Sequence, residues 1–459
     1  MTKHLLTFAF LLFSMGLNAQ MTFNFSTSGV KTSTDADGVT RYTAPAGTNL
    51  AGLITGVKVD GTTVTASQVT PDPTTTKIYA DRLEVFTYNN KAYAFRFDTD
   101  DYFTAVFISD CHTGQIDHDG TSVRDLTAIM NNICAMGNDG KQKVKFNTKP
   151  NYVPKADIIF CLGDIDQDKG DDGKRGKHTY FLDATAEVAK TAGIPFIFIA
   201  GNHDLSPDYW GSGNSDRGVT SGSEGGANAD SETISAIKTN NSYWNNNGGF
   251  DESITYFTTG NNRYFEPNHF TFKFKGVRFY CANNYWFQKP YAAPGWLSAA
   301  TYYAPDPIVS NLNSFVDSHK SEASVWMQHF PWLAGDDCNR WWLDQNSGGY
   351  YITTTNSSAY GSNTSGIAYN DATSANTLKK NPLSAIMMKA AGKVDGKVQH
   401  FSGHYHQFYD ATYTSTVNSS NQVHDYTVAA PGNSSQSNNA YVVLMKRGVG
   451  VVEVKQTQF

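Results

Sequence analysis

The chain is poor in charge. Asp, Glu, Lys and Arg make up 17% of its 459 residues, and 36 Lys and Arg stand against 42 Asp and Glu, a formal net charge of -6. A nucleic-acid binder or a polybasic membrane-surface protein needs clustered positive charge to displace counterions, so neither class fits. Cysteine is scarce as well. The five (Cys111, Cys134, Cys161, Cys281, Cys338) form no CxxC or finger spacing, which argues against a zinc ribbon and a disulfide framework. Cys161 sits inside an apolar run and reads as a small buried side chain. Long apolar runs are missing too: Leu5–Met15 has eleven residues, well short of the ~20 that span a bilayer. No internal repeat is visible. What remains is 40% hydrophobic and 13% aromatic residues, ample for a sizeable core and incompatible with global disorder. The polar surface must come from Ser, Thr, Asn, Gln and Gly, a composition that suits an exported globular protein.

The first residues point the same way. Lys3 supplies a charged start, Leu5–Met15 an apolar stretch, and Ala19 the small residue at which a signal peptidase cuts. We therefore expect residues 1–19 to be a signal peptide and the mature protein to start at Gln20, in the periplasm or secreted. No Cys stands after the cut, so lipid attachment there has no support.

The rest of the chain has two textures. Residues 20–100 read as a β-rich accessory domain: Thr and Val recur between turn signals at Asp37-Gly38, Asp60-Gly61 and Pro71-Asp72-Pro73, and Leu83–Tyr88 and Ala92–Phe97 flank the turn Asn89-Asn90-Lys91. Residues 101–459 alternate short apolar strands with helical segments and then turn to hairpins, one of them around Lys275-Gly276. That pattern predicts α/β layers on a large sheet core. Helices are expected at 122–136, 180–192, 307–320 and 379–393. Strands are expected at 103–109, 156–162, 194–200, 323–328, 394–402, 425–429 and 440–454. Segments rich in Gly, Ser, Asn and Thr interrupt the pattern near 205–265 and 345–378. They are too long for ordinary connections and read as lids or mobile insertions.

The residues that carry chemistry stand at the C-terminal end of each strand. FTAVFIS leads to Asp110-Cys111-His112, ADIIFCL to Gly163-Asp164, and IPFIFIA to Gly201-Asn202-His203-Asp204. ASVWMQ leads to His329, and VQHFS to Gly403-His404-Tyr405-His406. Five of the twelve histidines fall at these strand ends, where open α/β sheets place their sites. Asp110 and His112 are two apart and can face one ion, and His404 and His406 can each supply an imidazole to one of two ions. Gly163 allows close backbone approach and turns the Asp164 carboxylate inward, where its two oxygens can bridge. Asn202 offers a neutral carbonyl oxygen. Mixed N and O donors without thiolate suit Zn, Mn or Fe better than Ca or Mg. The acidic stretch after Asp164 lacks the Gly at the sixth position and the terminal Glu of an EF-hand, so it reads as a solvated loop.

The ordered set DxH, GD, GNHD, a lone His and GHxH resembles the calcineurin-like metallophosphoesterases, in style closest to the phosphodiesterase and acid-sphingomyelinase-like members. The resemblance runs from about Tyr102 onward, and it is the complete set that is specific. It implies a β-sandwich flanked by helices with a dinuclear site at the strand ends. Asp110, His112, His406 and Asp164 would hold one ion. Asp164 would bridge, with Asn202, His329 and His404 completing the second. His203 would face the substrate, protonating the leaving oxygen or holding the phosphate, with Asp204 orienting it. A hydroxide bridging the ions would attack phosphorus in line. Gln167 stands where purple acid phosphatases carry Tyr, so a tyrosinate–iron chromophore is not implied.

The expectation is thus an exported, dinuclear phosphohydrolase acting on a small-molecule or lipid-head-group phosphate ester. Few Lys or Arg neighbour the motifs, which favours a diester. Trp332, three residues after His329, is the candidate for contact with an organic leaving group. Two alternatives stay open: a phosphomonoesterase of broad specificity, and a non-catalytic surface glycan-binding protein on the same scaffold. His118, His178, His269, His319, His400 and His424 carry no motif and read as surface or satisfied structural histidines.

Overall fold

The computed structural model describes residues 20–35, 38–80, 82–111, 126–137, 144–150, 152–165, 182–201, 231–257, 269–282, 306–329, 397–403, 406, 408–414, 420, 422–430 and 439–459. The expected signal peptide, the helix at 379–393, the insertion near 345–378 and most of that near 205–265 lie outside them. The chain divides into two compact units. One comprises residues 1–103 and 135–155, the other 104–134 and 156–459.

The first unit is built of β1 (Met21–Phe25), β2 (Lys31–Thr34), β3 (Thr40–Ala44), β4 (Ile54–Val59), β5 (Thr62–Val64), β6 (Leu83–Tyr88) and β7 (Lys91–Thr99). They form a three-stranded sheet in the order β1-β4-β5 and a four-stranded sheet in the order β2-β3-β7-β6. Period-2 alternation puts Phe86, Phe95 and Phe97 on the inward faces of β6 and β7. There they meet Phe23 of the other sheet, whose ring lies edge-on to Phe95 with centroids 4.8 Å apart. The β6–β7 turn is the two residues Asn89-Asn90, both left-handed with φ of 47° and 64°, and Lys91 already pairs with Tyr88. Such a turn matches the right-handed strand twist, and Asn tolerates it better than most residues. Arg41 is buried against Asp35 (Nε–Oδ1 3.0 Å) and Asp98 (3.4 Å), so its charge is paired.

The second unit is α/β. Its elements are β8 (Tyr102–Ile108, beginning in the first unit), α1 (Leu126–Cys134), β9 (Ala156–Cys161), α2 (Ala186–Ala192), β10 (Phe196–Phe198), α3 (Ser231–Asn247), β11 (Glu252–Tyr256), β12 (His269–Phe274) and β13 (Val277–Ala282). After them come α4 (Asp306–Ser318), β14 (Ser324–Met327), β15 (Lys397–Ser402), β16 (Tyr409–Thr414), β17 (Gln422–Thr427), β18 (Asn439–Lys446) and β19 (Gly450–Gln458). A five-stranded sheet has the order β10-β9-β8-β18-β19, and a seven-stranded sheet the order β11-β12-β13-β14-β15-β17-β16. β8, β9 and β10 run parallel, as do β13, β14, β15 and β17.

Aromatic side chains join the two sheets face to face. Phe107 of β8 stacks on Phe401 of β15 with centroids 4.0 Å apart, and Phe160 of β9 meets Phe279 of β13 at 5.1 Å. This is the expected sandwich. The next residue along each strand faces outward, so Tyr280 and Trp326 stack on the far face of the larger sheet, where Phe315 of α4 meets Tyr280 edge-on. α2 stops at Gly193, left-handed at φ 68°. Among the described residues no helix is long and apolar enough to cross a membrane.

Four features depart from expectation. Residues 231–247, read as part of a polar insertion, form the helix α3. Ile237 and Trp244, seven residues apart, are buried on one face, and Asn240 Nδ2 donates to Phe196 O at 2.7 Å. A sparse apolar stripe reinforced by Asn side chains escapes a hydrophobic-period search. β11 and β16 are edge strands too polar to read as such. The stretch 440–454 splits into β18 and β19, which turn at Arg447-Gly448-Val449. Residues 135–155 belong to the first unit although they lie between β8 and β9 in sequence.

Candidate metal centre

Parallel register sets the ends of the central strands level. Ile108 pairs with Cys161, which pairs with Phe198 across the smaller sheet, and Met327 pairs with Phe401 across the larger one. Since Phe107 stacks on Phe401, the two sets of strand ends meet at one edge of the sandwich. Asp110, Asp164, His329 and His406 converge there.

Backbone bonds lock the turns together. Asp110 N–H donates to Gly163 O at 2.9 Å, and Gly403 N–H donates to His329 O at 2.8 Å. Asp110, Asp164 and His406 are left-handed, with φ of 55°, 48° and 55°. Non-glycine residues adopt this region rarely, and it is characteristic of functional turns. Two close approaches explain glycines of the motifs. A Cβ on Gly201 would lie 2.1 Å from Asp164 Oδ1 and 2.3 Å from Asp164 N, and one on Gly403 would lie 1.8 Å from Ser109 Oγ and 2.7 Å from Asp110 Oδ2. The chain is cut away where the carboxylates sit.

Asp110, Asp164 and His329 are fully buried and each offers a ligand atom, all within 4.8 Å of one another. His329 Nε2 lies 3.2 Å from Asp164 Oδ2, and His406 Nε2 lies 3.4 Å from Asp110 Oδ1. His406 is 36% exposed, so the cluster opens to solvent on its side. His329 Nδ1–H donates to Leu162 O at 2.8 Å, which orients the ring and directs Nε2 at the carboxylates. An outer carbonyl of this kind is the usual way a metal-ligating imidazole is held.

Electrostatics reflect the crowding. Burial pushes the Asp110 carboxyl up, but the hydrogen bond and charge of His406 and the charge of His329 outweigh both burial and the repulsion from Asp164, holding it at about 2. Burial pushes His329 down, yet the charge and hydrogen bond of Asp164, the charge of Asp110 and the Leu162 carbonyl raise it to about 9. The carboxylates therefore hold a proton on the lone pair that a cation would use. Two carboxylates and two imidazoles, with no thiolate among the described residues of this glycine-lined cradle, suit a borderline divalent ion.

A family model of calcineurin-like phosphoesterases matches residues 103–408. The chain belongs to the calcineurin-like phosphoesterase family. No curated protein matches it. As a calcineurin-like phosphoesterase the protein is a metal-dependent phosphoester hydrolase in the general sense, and the Asp110, Asp164 and His329 cluster is where this chain offers divalent-metal ligands.

Of the residues singled out from sequence, the structure brings together Asp110, Asp164, His329 and His406. His112, Asn202, His203, Asp204, His404 and Trp332 lie outside the described residues. Sequence reasoning missed a group beside the cluster. His400, set aside for want of a motif, is fully buried and bonded to Asp425, with Gln328 and Ser402 next to it. No local signal marks it, because its partners Asp425 and Gln328 come from other strands.

Proposed function

We propose that this calcineurin-like phosphoesterase is an exported, dinuclear metal-dependent phosphohydrolase whose preferred substrate is a phosphodiester. The observation that carries the reading is the buried set Asp110, Asp164 and His329, with His406 at its open side, at the meeting point of the strand ends. Two bound ions there would lower the pKa of water towards ~7 and neutralise phosphate oxygens.

The chain's own groups have separate tasks. Asp164, packed closely against Gly201, would serve both ions. His329, tethered to Leu162 O, presents Nε2. His112, Asn202 and His404, at matching motif positions, would complete the ligand set. His203 would hold the phosphate and pass a proton to the leaving oxygen, with Asp204 orienting it, because an imidazole titrates near neutrality. Trp332 would contact the organic part of the leaving group. Two divalent ions against the two carboxylates leave a formal surplus of two positive charges. An anionic nucleophile and a singly charged diester consume that surplus, whereas a monoester overshoots it, and few Lys or Arg stand near the motifs to compensate. Export rests on the residues 1–19 pattern.

The test is initial rates of the manganese-reconstituted mature protein on a bis(aryl) phosphate diester and the matching aryl monoester. A diester rate at least about tenfold higher supports the reading, tenfold being about 1.4 kcal/mol in barrier. A monoester preference replaces it with a phosphomonoesterase. Inactivity on both, without tight metal binding, points to a non-catalytic binding scaffold.

A further inference from the structure

Behind the metal centre, on the outer face of the larger sheet, five polar side chains are buried together: Gln328, His400, Ser402, Asp425 and Thr427, none more than 1% exposed. His400 Nδ1–H donates to Asp425 Oδ1 at 2.7 Å, and the Gln328 side-chain amide lies 3.0 Å from His400 Nε2. Ser402 O–H donates to the same Asp425 oxygen at 3.2 Å, and its Oγ lies 3.2 Å from Thr427 Oγ1. Two residues earlier on β14, the same face carries the apolar stack of Trp326 on Tyr280. Burying polar groups costs free energy that bonding only partly returns, and apolar residues of similar volume would hold the sheet at least as well. The network is therefore poorly explained as a stabilising core.

Its place in the chain supplies an explanation. Gln328 immediately precedes His329, and Ser402 immediately precedes Gly403, which is bonded to His329 O. Successive strand residues point to opposite faces, so holding Gln328 outward holds His329 towards the cluster. Past the end of β14 the backbone is tied in the same place: Gln328 N–H donates to Phe401 O at 3.1 Å, Gly403 N–H to His329 O at 2.8 Å, and Val428 N–H to Ser402 O at 2.8 Å.

We propose that His400, with Asp425, Gln328 and Ser402, is a positioning network for the metal centre, fixing His329 and Gly403 relative to each other. The inference rests on the metal-hydrolase reading above, and it concerns hydrogen-bond geometry alone. None of these residues touches an ion or substrate.

The experiment compares cobalt(II) affinity, by calorimetric titration of the mature protein, with the melting temperature of the same samples in chelator. Gln328→Leu and His400→Leu are expected to bind cobalt about tenfold more weakly than wild type, the low end of the cost of losing a direct outer partner of a ligand, because these side chains reach His329 through the backbone. Asp425→Asn, which keeps an oxygen acceptor for His400, should bind within a few-fold of wild type. Ser402→Ala removes only a hydroxyl, is expected to fold whatever the larger changes do, and should weaken binding several-fold. A purely structural role would lower the melting temperature in chelator and leave cobalt affinity unchanged, which would overturn the proposal. So would an Asp425→Asn loss as deep as that of His400→Leu. If wild type itself binds no cobalt, the metal-hydrolase reading falls and this proposal with it, a result distinct from loss in the variants alone.

Discussion

Removing the ion should make the protein's stability depend on pH through His329, and adding the ion should abolish that dependence. His329 is raised from 6.5 to about 9 by Asp164 and Asp110 against the opposing effect of burial. A group whose folded pKa is raised contributes stability that is fully present below its unfolded value and is lost as pH climbs through the folded one. One unit corresponds to 1.36 kcal/mol, so the shift is worth about 3 kcal/mol below pH 6.5, of which about 2 kcal/mol should be gone by pH 8.5. Cation binding displaces the same proton, so metal affinity must rise over this window by up to about tenfold per pH unit. Urea unfolding between pH 6.5 and 8.5, in chelator and with saturating cobalt(II), tests both statements. The chelated protein should lose about 2 kcal/mol as pH rises, while the stabilisation conferred by cobalt grows. Parallel pH profiles with and without ion would refute the reasoning, because His329 would then neither carry the extra proton nor yield it to a metal.

Three further outcomes follow, two from the geometry and one from the proposed roles. Gly201→Ala places a methyl 2.1 Å from Asp164 Oδ1 and 2.3 Å from its backbone nitrogen, which cannot swing aside. Metal affinity, read by titration, should fall by about tenfold or more. Asp164→Asn should lose metal and phosphoesterase activity together, whereas His203→Ala should keep metal content and lose about 10²–10⁴ in rate. Metal analysis beside initial rates separates the two, and full metal with full rate in both variants would sink the assigned roles. Phe107→Ala empties a slot between Phe160 and Phe401, with centroids 4.8 and 4.0 Å away, and should cost about 3–5 kcal/mol in denaturant unfolding. A loss under about 1 kcal/mol would mean that the two sheets are not joined through that stack.

Some elements were legible because their signals are local. The turns at Asn89-Asn90 and Lys275-Gly276 announce themselves by residues that accept left-handed backbone, and the apolar runs before Asp110, Asp164 and His329 became β8, β9 and β14 within one or two residues. α3 was hidden because its buried face is thin: Ile237 and Trp244 sit among Asn residues, one of whose amides bonds inward to Phe196 O. β16 was hidden because an edge strand reading YDATYT need not be apolar. His400 was passed over for a different reason. A buried histidine is recognised by its partners, and Gln328 lies 72 residues away in sequence.

By itself the sequence determined which chemistry the chain can carry. Carboxylates and imidazoles placed after apolar strands are a property of residue order, and strand propensity with turn chemistry acts over a few neighbours. Only tertiary structure decided which of them meet. His329 reaches the Leu162 carbonyl across 167 residues because parallel register levels the strand ends and the Phe107–Phe401 stack sets one sheet over the other. The proximity of Gly201 to Asp164, the raised pKa of His329 and the His400 network all arise from that packing. Each depends on distances of a few ångströms between segments far apart in the chain, which no local pattern encodes.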